Sequence, residues 1–136
     1  AAGIVESVKP GGLVAIGTKL DPSMTRSDSF IGSVIGKPGT LPDNATLLKL
    51  DVNLFDSAVG STVDSSTDLQ VKPIQTGELL RLNIGTAPVL GKVTKVKSSN
   101  IEIELRRPAC IFENGRVAIS RKIAERWRLI GAGIVG

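Results

Sequence analysis

Gly115-Arg-Val-Ala-Ile-Ser-Arg-Lys-Ile-Ala-Glu-Arg-Trp-Arg-Leu-Ile-Gly-Ala-Gly-Ile-Val135 is the stretch whose reading decides the fold. Val117, Ile119, Trp127 and Leu129 fall at alternating positions with cations between several of them, the period of a strand with one buried face. The stretch reads as two strands, Arg116 to Ile123 and Trp127 to Val135, joined by a turn at Ala124 and Glu125. On that reading Trp127 points into the core, and Arg126 and Arg128, its neighbours, share the opposite face.

Working outward, the rest of the chain repeats this construction. Ala45 to Phe55 alternates, with Leu48, Leu50, Val52 and Leu54 on one face and Lys49, Asp51 and Asn53 on the other. Further strands are predicted over Glu78 to Ile84, Val89 to Lys97 and Asn100 to Arg107, with a hairpin turn at Ser98 to Asn100. Three more are predicted upstream, over Gly3 to Val8, Leu13 to Gly17 and Phe30 to Ile35. Between the last two, Asp21 can cap one helical turn opened by Pro22. Gly36 to Pro42 holds two prolines and two glycines and is the best linker in the chain. Ser57 to Asp68 reads as a polar loop. No segment holds a 3.6-residue apolar period, so the fold class is all-β. A closed antiparallel β-barrel over 43–136, preceded by part of a second β-barrel over 1–42, buries these faces without leaving an edge in the larger unit.

Composition narrows the chemistry. The 136 residues are 41% apolar but only 3% aromatic, with no Tyr and no His. The core must be built from Val, Ile and Leu, and a histidine base or a histidine-bound metal is excluded. One cysteine, Cys110, forms no internal disulfide and reads as a buried thiol in a strand. Cysteine usage fits a cytoplasmic protein, and no apolar run approaches the ~20 residues that span a bilayer, so no membrane is expected. The chain starts at Ala1 without an initiator Met and reads as a piece of a longer protein.

The formal charge of +4 is uneven. Residues 1–71 carry five Lys/Arg against eight Asp/Glu, whereas residues 72–136 carry twelve against five. Such a bias suits a surface that meets phosphates, and also suits solvated strand faces. Arg106, Arg107, Arg121, Lys122, Arg126 and Arg128 form the basic set.

Catalytic motifs fail on spacing. Gly32-Ser-Val-Ile-Gly36-Lys37-Pro38 has one residue too few between its glycines for a phosphate loop, and Pro38 stands where Ser or Thr would ligate magnesium. Gly131-Ala132-Gly133 closes a strand with no helix after it, so it is no dinucleotide fingerprint; its glycines permit close packing or a bend. Glu102 and Glu104 alternate with Ile residues as a solvated face does, and no acid–base pair follows from them.

Three blocks carry a resemblance. Lys9-Pro-Gly-Gly-Leu-Val-Ala-Ile-Gly-Thr-Lys-Leu-Asp-Pro22, Thr25-Arg-Ser-Asp28 and Gly32-Ser-Val-Ile-Gly-Lys-Pro-Gly-Thr-Leu-Pro42 closely resemble the second domain of the gamma subunit of archaeal and eukaryotic translation initiation factor two. Val71-Lys-Pro-Ile74, Gly77-Glu-Leu-Leu-Arg-Leu-Asn-Ile-Gly-Thr86 and Gly91-Lys-Val93 resemble the opening of its third domain. Ile101-Glu-Ile-Glu-Leu-Arg-Arg-Pro108, Arg116-Val-Ala-Ile-Ser-Arg121 and Arg126-Trp-Arg-Leu-Ile-Gly131 resemble that domain's end. Arg126 ahead of the Trp favours the archaeal form, since the eukaryotic pattern usually has His there. In two places the chain departs from the pattern: Ala132 replaces a usual aromatic, and Ser57 to Asp68 is more Ser-rich.

The resemblance implies a GTPase domain followed by two barrels, as in elongation factor Tu, with the GTPase domain outside this sequence. It implies a non-catalytic C-terminal region of a translation initiation GTPase that delivers methionylated initiator tRNA to the small ribosomal subunit. GTP and magnesium would belong to the GTPase domain, and no cofactor to this fragment. Implied partners are initiator tRNA, the small ribosomal subunit, the alpha and beta subunits of the heterotrimeric factor, and the chain's own GTPase domain. Lys19 would stand near the pocket for the aminoacylated 3′ end, and Gly17 could let backbone approach the terminal nucleotide. The arginines would contact RNA backbone, or carboxylates of the GTPase domain, or solvent alone. Alternatives are the barrels of a selenocysteine-specific or Tu-like elongation factor, and a free-standing protein-binding β-barrel.

Overall fold

The structure, a computed structural model, describes residues 3–59 and 70–136. By their contacts the residues group into two units, Ala1–Phe30 and Ile31–Gly136. The sequence pattern places a domain boundary after residue 42, at the end of the Gly36 to Pro42 linker.

In the first unit the regular element is a 3-10 helix, Pro22–Asp28, broken by non-helical backbone at Arg26 and Ser27. Asp21 caps it as the sequence predicts: its carboxylate accepts the Ser23 N–H at 2.8 Å, and Pro22 opens the first turn. That hydrogen bond, with help from the Ser23 side chain, holds the Asp21 carboxyl below its usual range.

The strands expected over Gly3 to Val8, Leu13 to Gly17 and Phe30 to Ile35 are not formed. A strand exists by exchanging hydrogen bonds with a neighbour, and among the described residues nothing pairs with these segments. Their alternation therefore finds no ladder, and Ile4 and Leu13 stand fully exposed.

Among the described residues the second unit carries six strands: β1 (Asn44–Val59), β2 (Leu79–Ile84), β3 (Ala87–Lys97), β4 (Asn100–Cys110), β5 (Arg116–Ile123) and β6 (Arg126–Val135). They close into a ring in the order β1-β4-β3-β2-β5-β6, every pair antiparallel. Closure removes the unpaired edge that a sheet of this length would otherwise expose. β1 runs through Ser57 to Val59, where the sequence pattern predicts the start of a loop. Residues 60–68 of that predicted loop lie outside the described residues.

Leu48, Leu50, Leu80, Leu82, Val93, Ile103, Val117, Ile119 and Ile130 fill the interior, with Val52 and Leu54 packed against them. The core is aliphatic throughout. Two glycines of β6 let β1 approach: a Cβ on Gly131 would stand 2.5 Å from the Asn53 carbonyl oxygen, and one on Gly133 would stand 3.1 Å from Leu50 Cβ. Cys110 ends β4 half-buried rather than buried, its Sγ 3.9 Å from the Pro42 carbonyl oxygen.

Candidate functional site

The candidate cations gather at one place only in part. β5 and β6 form a hairpin whose turn residues, Ala124 and Glu125, both have positive φ, 47° and 64°. This is the sign pattern of a type I′ turn, whose twist matches that of the flanking strands. It pairs Ile123 with Arg126, Lys122 with Trp127, and Arg121 with Arg128. Four of the six arginines and lysines of the basic set thus share one hairpin end.

Residues opposite one another across an antiparallel pair share a face, and that rule decides where each side chain goes. Ile119 is buried and Ile123 packs on the core, so Arg121, between them in phase, lies on the interior face, and so do its partner Arg128 and, past the end of the core, Arg126. Lys122 and Trp127 lie on the outer face. The expectation that Trp127 enters the core is therefore corrected: it is half-buried on the outer side and has no place in the core cluster. The cause is a β-bulge. Ile119 pairs with Gly131 but Ser120 pairs with Leu129, so β6 carries one extra residue, Ile130, which is fully buried. Beyond the bulge the alternation resumes in the opposite phase.

Arg121 is engaged inside the barrel. Its side chain is only 16% exposed and forms a forked ion pair with Glu78, through Nε to one carboxylate oxygen and through Nη2 to the other at 3.1 Å. Nη1 donates to the Lys72 carbonyl at 2.8 Å and Nη2 to the Pro73 carbonyl at 3.3 Å. The residue pins the segment ahead of β2, whose Ile74 is buried. Glu78 also accepts the Gln75 N–H at 3.1 Å. Sequence reasoning missed Glu78; the only signal was its place one residue ahead of β2 in a segment rich in carbonyl acceptors.

Lys122 and Arg126 remain at the surface. Lys122 Nζ lies 2.8 Å from a carboxylate oxygen of Glu125 in the turn, an exposed pair that contributes little stability and exchanges readily for another anion. Arg126 is exposed at the tip. Arg106 and Arg107 are exposed on β4, which stands three strands from β5 either way round the ring, so the barrel does not bring them to the hairpin. Lys19 is exposed in the first unit.

Gly32 to Pro38 does not form a phosphate loop. Gly32 to Pro38 leads into a turn instead of a helix, and a Cβ on Gly32 would stand 2.5 Å from the Ala87 Cα, so barrel backbone already occupies the space against that glycine. Among the described residues no group of three or more His, Cys, Asp or Glu side chains could hold a metal ion, and no helix is long and apolar enough to cross a membrane.

Among the described residues, these features define the class: a small closed antiparallel β-barrel of six strands with a cationic hairpin at one end. Residues 46–135 match the family described as "Initiation factor eIF2 gamma, C terminal". Similar proteins include the translation initiation factor 2 subunit gamma of Aeropyrum pernix, 48% identical over 131 residues, and that of Pyrococcus furiosus, 50% identical over 131 residues. The same subunit of Halorubrum lacusprofundi is 44% identical over 129 residues. These alignments cover 95–96% of this chain but 31% of each relative, so the chain spans about a third of the length of the proteins it matches. The chain belongs to the initiation factor eIF2 gamma C-terminal family.

Proposed function

We propose that this chain is the non-catalytic barrel region of a cytoplasmic translation initiation GTPase, and that its β5–β6 hairpin helps hold initiator tRNA as the factor delivers it to the small ribosomal subunit. On this reading GTP and magnesium are bound by a domain outside these residues, residues 1–42 belong to the preceding barrel, and the alpha and beta subunits complete the factor. The observation that carries the reading is the pair of exposed cations, Lys122 and Arg126, on a hairpin end fixed by the Arg121–Glu78 fork. Such a surface attracts phosphates without reading sequence, and binding through it weakens steeply with salt. Arg106, Arg107 and Lys19 would make separate contacts, since the described geometry assigns the first two to another wall.

The test is initiator tRNA binding by the parent factor with its alpha and beta subunits, across a salt series, with Lys122→Ala and Arg126→Ala. Each lost phosphate contact should weaken binding and lower the slope of log affinity against log salt by about one. Unchanged affinity and slope in both variants would overturn the hairpin's role. If GTP-linked closure changed while tRNA binding did not, the cations would instead be pairing with carboxylates of the GTPase domain.

A further inference from the structure

We infer that Trp127 is a base-stacking residue: its indole forms a platform on the outer face of the barrel for an unpaired RNA base, with a flanking phosphate on Lys122. This rests on the reading of the hairpin as an RNA contact and adds a residue that packs on the base rather than on the backbone.

The barrel has no use for the indole in its interior. Among the described residues seventeen aliphatic side chains make up the buried core, and none of the four aromatic residues joins them. The bulge at Ile130 turns the only tryptophan outward, directly across from Lys122. Two residues on along the same face comes Leu129, whose neighbour across the β1–β6 pair is Val59, more than half exposed. An indole beside an aliphatic shelf, with a cation opposite it on the same face, combines the two elements of single-stranded RNA recognition: a π-face for any base and positive charge for the backbone. The charge also selects among occupants. Residues 72–136 carry twelve Lys/Arg against five Asp/Glu, so a polyanion is favoured over a neutral apolar protein segment. The one carboxylate at the tip, Glu125, is 90% exposed in its side chain and sits on Lys122, where it competes with a phosphate.

The experiment measures binding of methionylated initiator tRNA, and separately of a single-stranded RNA oligonucleotide, to the parent factor with its subunits. Trp127→Phe, Trp127→Leu and Trp127→Ala are compared with Lys122→Ala. Stacking predicts a loss of about 5- to 150-fold for Trp127→Ala and a similar loss for Trp127→Leu, while Trp127→Phe stays within about threefold of the parent. The salt slope should not move in any of the three, because a stacked base releases no counterion, whereas Lys122→Ala should lower it. Leu keeps the apolar bulk, so a packing role would treat Leu and Phe alike and would overturn the inference. Unchanged affinity in all Trp127 variants with an altered slope in Lys122→Ala would overturn stacking and leave the hairpin's phosphate role standing. No change in any variant would remove both. Loss of a subunit with tRNA affinity intact would overturn the inference in favour of a protein partner. Glu125→Gln should raise RNA affinity, since it frees Lys122.

Discussion

Gly131→Ala places a methyl group where the barrel has no room for it. The added Cβ would stand 2.5 Å from the Asn53 carbonyl oxygen and 3.0 Å from the Leu54 Cα, both backbone atoms of β1. Ordinary contacts at these atoms are about 3.4–4 Å, so β1 and β6 must separate by several tenths of an ångström or more. Neither atom can rotate away. Overpacking of this kind costs about 1–3 kcal/mol, and rigid backbone on the receiving side puts this site at the upper end. Replacing a strand glycine by Ala returns about 0.5–1 kcal/mol through the unfolded chain, which leaves a net loss of about 2 kcal/mol. For a unit of this size that loss lowers the melting temperature by about 8–16 °C. Gly133→Ala is the internal control: its nearest neighbours are Leu50 side-chain atoms at 3.1 and 3.2 Å, which can give slightly, so its net cost should stay within about 1 kcal/mol. Urea denaturation followed by the fluorescence of Trp127, the only tryptophan, reads both. If Gly131→Ala matched the parent within about 0.5 kcal/mol, or fell below Gly133→Ala in cost, the close approach of β1 to β6 would be refuted.

Arg121→Ala removes a half-buried fork and two carbonyl contacts, and should cost about 2 kcal/mol. Amide hydrogen exchange should then quicken over Val71 to Gly77 while β2 stays protected, and a double-mutant cycle with Glu78→Ala should show coupling of about 1 kcal/mol or more. Glu125→Gly relieves a non-glycine residue at φ 64° and should raise stability by about 1 kcal/mol, seen as a higher urea midpoint; a lower midpoint would show that the Lys122–Glu125 pair outweighs the strain.

The strands of the barrel were legible because each buries one face. β5 has the bounds that alternation predicts, Arg116 to Ile123, and β6 begins one residue early at Arg126. The β5–β6 turn fell where polarity interrupts the pattern. β4 is predicted to end at Arg107, yet the strand continues through Pro108, which cannot donate to a ladder, to Cys110. Its pairing with β1 jumps there, from Leu47 opposite Glu104 to Ala45 opposite Ala109, and a proline is tolerated where the ladder is already broken. Upstream, the same alternation misled. Ile4 with Val8 and Val14 with Ile16 fall on one strand face, but periodicity describes a face and does not supply a neighbour to pair with, and all four are exposed. The ring order was not legible at all: β1 pairs with β4 and β6, and nothing local in the chain encodes those partners.

For the candidate site, the chain showed which residues are charged but not which way they point. Alternation carries directional information only as far as the next bulge, since one inserted residue exchanges the two faces of everything beyond it. Read from Val117 and Ile119 forward, or from Val135 backward, parity is right on each side of Ile130 and wrong across it. The apolar character of Trp127 then argued for the core, and the same error made Arg126 and Arg128 look like a matched outer pair. The observed arrangement divides the hairpin cations by surroundings. Arg121, carried to the interior face, is used to pin the segment ahead of β2, and a guanidinium so engaged is poorly placed to release its partners for RNA. Lys122, on the other face, keeps only a solvent-exposed carboxylate, which an incoming phosphate can replace at little cost. The bulge therefore separates a cation that holds the hairpin in place from one free to change partners, and it sets the tryptophan beside the second.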